Sequence, residues 1–140
     1  MTAKAAAAPM RKSSNMFKGA KAFPSFSVND LQKAKEFYGR TLGLDISELP
    51  QGLDIKLSDG LNVFLYPKPN HTPASFTVLN FPVDNIDDAV DELITRGIRL
   101  EKYDQAELHT DSKGIMRGPG PQIAWFKDPS GNVLSVVEDK

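Results

Sequence analysis

The chain has 140 residues, a formal net charge of −1 and no cysteine, which is long enough for one domain and short for two. A domain of this size buries roughly two-thirds of its unfolded surface, so a core needs no cross-links, and the lack of cysteine excludes a disulfide framework or cysteine-based zinc site. Near-neutral charge excludes a global basic field for nucleic acid, and no run approaches the roughly 18 apolar residues of a membrane helix, so a cytoplasmic chain without nucleic-acid or membrane partners is expected.

Residues 1–22 carry Lys4, Arg11, Lys12, Lys18 and Lys21 but no acid. Residues 1–19 read as a disordered extension ahead of a single domain over 20–140. A strand is predicted over 23–28. A helix follows with Leu31, Ala34, Phe37, Tyr38 and Leu42 on one face, where Asn29 and Gln32 resemble a capping box and Gly43 suits a left-handed stop. Strands are predicted over 44–48, 53–58 and 62–66, and Pro67, Pro69 and Pro73 punctuate a linker over 68–74. Another strand over 76–83 leads to a helix carrying Ile86, Ala89, Val90, Leu93 and Ile94, capped by Asp84 or Asn85 and stopped at Gly97. The remaining strands are expected over 99–103, 122–127 and 133–137. A long loop over 104–121 holds Gly114, Gly118, Pro119, Gly120 and Pro121.

These elements repeat. Val28-Asn29-Asp30-Leu31 with Ala34 matches Val83-Asp84-Asn85-Ile86 with Ala89 at a constant offset of 55 positions (28 to 83, 34 to 89). The turn before Asn62 is a shorter counterpart of Asp128-Pro129-Ser130-Gly131-Asn132, and the extra residues of the second half fall in the 104–121 loop. The fold class is therefore α+β: two tandem βαβββ modules, over about 20–67 and 75–139.

Three stretches carry a family resemblance: Phe26-Ser27-Val28-Asn29-Asp30-Leu31 running to Leu42-Gly43-Leu44, Val83-Asp84-Asn85-Ile86 running to Arg96-Gly97-Ile98, and Phe126-Lys127-Asp128-Pro129-Ser130-Gly131-Asn132-Val133-Leu134. Together the chain resembles the vicinal oxygen chelate (VOC) superfamily of glyoxalase I, bleomycin-resistance proteins and extradiol dioxygenases. The resemblance implies an incomplete barrel with a concave cleft, and a homodimer.

It also implies, in metal-dependent members, four histidine or glutamate ligands from the first and last strands of each module. Those positions fall here on Phe23, Val78, Ser135 and Leu65, or Tyr66 in a register one residue later. None of the four holds a catalytic divalent cation, so neither a metal nor another cofactor is expected. Strand alternation adds Ser25 and Ser27 beside Phe23, Asn80 beside Val78, Val63 beside Leu65, and Val133 and Val137 beside Ser135. Trp125 joins this cleft wall with Ile55 as its counterpart in the repeat. Arg117 on the 104–121 loop reads as a lid contact, with Tyr66 and Tyr103 as further polar contacts. Plain core packing is the competing reading for Trp125, Phe23 and Leu65.

The expected ligand-binding set is thus Phe23, Ser25, Ile55, Val63, Leu65, Val78, Asn80, Trp125, Ser135 and Arg117, a mostly apolar lining suited to a small apolar or aromatic molecule. The chain reads as a metal-independent binding protein rather than an enzyme, similar to the bleomycin-resistance branch. Two other readings stand beside it. One is a metal-dependent lyase or dioxygenase with a relocated site at His71, His109 or nearby acids. The other is a non-catalytic accessory or regulatory protein.

Overall fold

The computed structural model describes residues 16–138. The expected N-terminal extension lies mostly outside the described residues; 16–19 form a turn. Two four-stranded sheets carry the fold. In the first module, β1 (Ser25–Val28), β2 (Asp45–Leu49), β3 (Gly52–Lys56) and β4 (Asn62–Pro67) lie in the order β1-β4-β3-β2, with β1 parallel to β4. In the second, β5 (Thr77–Pro82) is followed by a two-stranded excursion, β6 (Asp104–Gln105) and β7 (Leu108–His109). The sheet is then completed by β8 (Ile115–Met116), β9 (Gln122–Lys127) and β10 (Val133–Glu138) in the order β5-β10-β9-β8, with β5 parallel to β10. Each parallel pair needs a crossover, and a helix supplies it in each module.

The first helix, α1 (Leu31–Lys35), starts at Asp30, whose Oδ1 accepts from the Lys33 N–H at 3.0 Å. The expected cap at Asn29 is thereby corrected: Asn29 faces the other module instead. After Lys35 the helix widens into π turns over Glu36–Thr41, closed by the Leu42 N–H donating to Phe37 O at 2.9 Å. The second helix, α2 (Ile86–Thr95), is capped by Asn85, whose Oδ1 accepts from the Asp88 N–H at 2.9 Å. Glu138 from β10 adds a carboxylate at the same end, accepting from the Ile86 N–H at 2.6 Å, where the helix dipole favours negative charge. Gly43 and Gly97 end the two helices at φ 78 and 84, the left-handed turn that the sequence demanded.

Both helices cover the same side of their sheets and share one core. Val28, Ala34, Tyr38, Leu53, Ile55, Val63 and Leu65 from module one join Ile86, Val90, Leu93, Ala124, Phe126, Leu134 and Val136 from module two. Ile94, expected on the packed face of α2, is instead 51% exposed. The strand expected over 99–103 is also corrected. Leu100 makes only a single bridge to Phe126, and the Glu101 N–H donates to Trp125 O at 2.8 Å. The rest of that edge is supplied by β8, pairing Ile115 with Ala124 and Met116 with Ile123. One strand position is therefore shared by two segments, and the β6–β7 hairpin loops out between them. That is where the second module accommodates its extra residues.

Candidate functional site

Strand register decides which side chains reach the sheet faces away from the helices. Phe64 sits opposite Ser25 and Asp54, as Ser135 sits opposite Asn80 and Trp125. The last strands of the modules therefore correspond with an offset of 71 (64 to 135), one more than the turn asparagines suggested. A slip of one residue in a strand exchanges its faces. Ile55, Val63 and Leu65, expected in the cleft, are each 0% exposed in the helix-side core. The counterpart of Trp125 is Asp54 rather than Ile55, and the counterpart of Ser135 is Phe64 rather than Leu65 or Tyr66.

The face away from the helices carries Ser25, Ser27, Asp54, Phe64 and Tyr66 in module one. In module two it carries Asn80, Trp125, Ser135 and Val137. Phe64 stacks on Tyr66 with centroids 6.1 Å apart and lies across Gly52, where a Cβ would stand 2.2 Å from Leu65 O. Only glycine allows that approach. Ser135 is fully buried and donates to Asn80 Oδ1 at 2.5 Å. The Trp125 Nε1–H donates to Thr77 Oγ1 at 3.1 Å, and Tyr103 meets the indole edge-on at 5.6 Å. Val78 is the extra residue at a bulge, because the register of β5 against β10 shifts between Val133 and Leu134. Phe23, just ahead of β1, is 38% exposed.

Arg117 does not reach this face. Its guanidinium pairs with Asp87 of α2 and with Asp111, both at 2.7 Å, and donates to Gln122 Oε1 at 2.7 Å. Lys113 joins from the same loop, at 3.1 Å from Asp87 and 3.0 Å from Asp91. Hydrogen bonds from Arg117 and Lys113 hold the Asp87 carboxyl below the usual carboxylate range. The expected lid contact is thus a strap that fixes the loop to α2.

The modules meet at the Asp128-Pro129-Ser130-Gly131-Asn132 turn. Asp128 is buried and accepts from Ser130 N and Asn132 N at 2.9 Å, from Asn132 Nδ2 at 3.0 Å and from Tyr38 OH at 2.7 Å. Burial, the charge of Asp128 and this hydrogen bond push the Tyr38 phenol far above its ordinary value of 10.0. Across the junction, Asn132 Nδ2 donates to Ser27 O at 2.9 Å. Ser130 Oγ accepts from the Asn29 N–H and donates to Asn29 Oδ1, both at 3.0 Å. His71, half-buried in the linker, closes the junction: Nε2 lies 3.0 Å from Ser130 O and Nδ1 2.7 Å from Ser27 Oγ. A cavity of about 260 Å³ opens here, lined by Ser25, Ser27, Phe76, Thr77, Val78 and Asn132 among others. A second groove, of about 320 Å³, lies on the helix side between Leu42, Leu44, Phe81, Val83, Leu93 and Phe126. Its lining is nearly all hydrocarbon, with Glu92 and Arg96 paired to each other at 2.9 Å.

The turn motif and Trp125 were visible in the sequence. The pairing of Ser27 with His71 was not, because 44 residues separate them and nothing local marks the contact.

The corrected register places the four metal-ligand positions implied by the resemblance at Phe23, Phe64, Val78 and Ser135. Three are hydrocarbon and the fourth is a hydroxyl committed to Asn80, so these residues do not fit a divalent cation. A relocated site fares no better. Both His71 nitrogens are engaged, His109 stands beside Asp104 alone at 3.1 Å, and no three His, Asp or Glu side chains converge among the described residues.

Comparison with known proteins agrees with this architecture. Protein YraH of Bacillus subtilis (strain 168) is 25% identical over 128 residues, covering 79% of this chain and 91% of that protein. The crystal structure of TnmS3, an antibiotic binding protein from Streptomyces sp. CB03234, superposes with a TM-score of 0.65 at 25% identity, covering 87% of this chain and 98% of that one. A glyoxalase family protein from Bacillus anthracis gives a TM-score of 0.63 at 23% identity, covering 94% and 100%. The sequence pattern of one family spans residues 23–136, from the first strand of module one to the last strand of module two. The chain belongs to the Glyoxalase/Bleomycin resistance protein/Dioxygenase superfamily.

Proposed function

We propose that this chain binds a small uncharged organic molecule at the junction cavity, beside Trp125, and does so without a metal ion. The observation that carries this reading is the lining itself. The cavity joins hydroxyls of Ser25, Ser27, Thr72 and Thr77 to the hydrocarbon of Phe26 and Val78, with no charged side chain in its wall. Small-molecule sites are built in this way, from apolar walls with a few placed polar groups. An unpaired charge would lose its hydration there without compensation. Trp125, hydrogen-bonded to Thr77 and met edge-on by Tyr103, adds an indole surface next to this lining. The superfamily relative named as an antibiotic binding protein supports binding over catalysis.

A thermal-shift and tryptophan-fluorescence screen of uncharged aromatic metabolites and antibiotics tests the proposal, Trp125 being the chain's one tryptophan. Saturable quenching is expected, and Trp125→Ala weakens the hit by about tenfold or more. A screen without saturable hits, or hits that Trp125→Ala leaves untouched, overturns the site. Isothermal titration with Ni, Zn, Mn and Fe(II) tests metal independence, where tight stoichiometric binding contradicts it. We further read the chain as a homodimer, since β2 ends its sheet with an edge that pairs no further strand among the described residues and that a second copy can pair. Light scattering reads the mass directly.

A further inference from the structure

We propose that His71 fixes the hydrogen-bond polarity of the junction cavity, so that its Ser27 end selects ligands that donate a hydrogen bond and its Thr77 end selects ligands that accept one. The inference rests on the proposed binding at this cavity and adds the chemistry that the ligand must carry.

Ser130 O is a carbonyl and only accepts, so the His71 nitrogen 3.0 Å away, Nε2, carries the ring proton. In the neutral ring Nδ1 is then a lone pair. Ser27 Oγ, 2.7 Å from it, meets that lone pair with its one proton. With its proton committed, Ser27 offers only lone pairs to the cavity. Thr77 is fixed in the opposite sense. The Trp125 Nε1–H has no acceptor capacity, so Thr77 Oγ1 accepts from it at 3.1 Å, and the threonine's own O–H remains without a partner among the described residues. Both residues line the same cavity.

A hydroxyl ordinarily adapts to donor or acceptor by rotating. Here the neighbours have removed that freedom, and a buried group left facing the wrong partner loses a hydrogen bond that water would have supplied. His71 touches Ser27 and Ser130 and is not itself among the lining residues, so it acts as a positioning residue.

The test uses three bicyclic probes of similar shape: indole, which donates through N–H; benzofuran, which carries an acceptor oxygen in its place; and N-methylindole, which has lost the donor. Titrations of the full chain are followed by amide chemical shifts. Indole is expected to bind about fivefold more tightly than N-methylindole, the ratio one discriminating hydrogen bond supplies. Ser27→Ala abolishes the indole preference while leaving each probe bound. His71→Leu frees the Ser27 proton and shifts the preference toward benzofuran; should that variant fail to fold, Ser27→Ala alone decides. Equal binding of the three probes by the unaltered chain overturns the polarity argument while leaving the cavity a binding site, as does an indole preference that survives Ser27→Ala. No perturbation of the cavity residues by any probe overturns both.

Discussion

Module one closes its last hairpin with a short turn over Ser58–Gly60, in which Asp59 is exposed and takes φ 62. Module two closes the equivalent hairpin with Asp128 to Asn132, where the aspartate is 5% exposed and accepts four hydrogen bonds. The two turns hold equivalent places in the repeat, yet among the described residues only the longer one reaches the opposite module, through Asn132 to Ser27 and Ser130 to Asn29. The same asymmetry marks the faces away from the helices, where Phe64 and Asp54 in module one correspond to Ser135 and Trp125 in module two. The repeat offers two equivalent positions, and burial at the junction makes one of them structural.

That contrast can be broken most sharply at Asp128. Asp128→Ala leaves four donors facing a void and is expected to cost about 3–5 kcal/mol in chemical denaturation. Asp59→Gly, at the exposed counterpart with positive φ, is expected to stay within about 0.5 kcal/mol. Comparable losses at both positions would mean that the turns are equivalent after all. Next in size, Leu65→Ala tests the corrected register. A fully buried core leucine costs about 3 kcal/mol, whereas a cleft-facing one would cost well under half of that.

Tyr38 gives a smaller effect with a pH signature. Tyr38→Phe leaves one Asp128 acceptor site unfilled and is expected to cost about 1–2 kcal/mol near neutrality. Because the folded phenol holds its proton far above 10.0, the stabilisation is complete below that pH and falls as the unfolded chain ionises above it. Urea melts from pH 8 to pH 11, taken as about the practical limits around the ordinary tyrosine value, are expected to show a steeper alkaline loss for the native chain than for the phenylalanine variant. The smallest effect belongs to the loop strap. Arg117→Met is expected to lower Tm by no more than about 3 °C and to do so only at low salt, since the pairs are largely solvated. The Asp87 carboxyl lies below its ordinary value, so this contribution is present above the usual carboxylate range and fades as pH falls through the depressed value.

The sequence by itself determined the repeat, the two crossover helices and the glycines that end them, because hydrophobic period and left-handed turns are local properties. It also placed Trp125, Ser135, Ser25 and Asn80 together on one sheet face, the face away from the helices, since alternation runs reliably outward from a well-anchored turn or strand pair. What failed was the register of β3 and β4, where a single uncounted residue moved Ile55, Val63 and Leu65 from cleft to core. Register is set by pairing between strands, and pairing is a tertiary fact. For the same reason only the folded chain brought Arg117 to Asp87, and His71 to Ser27 and Ser130. Local chemistry built the two modules; the contact between them decided which side chains became core, strap and cavity wall.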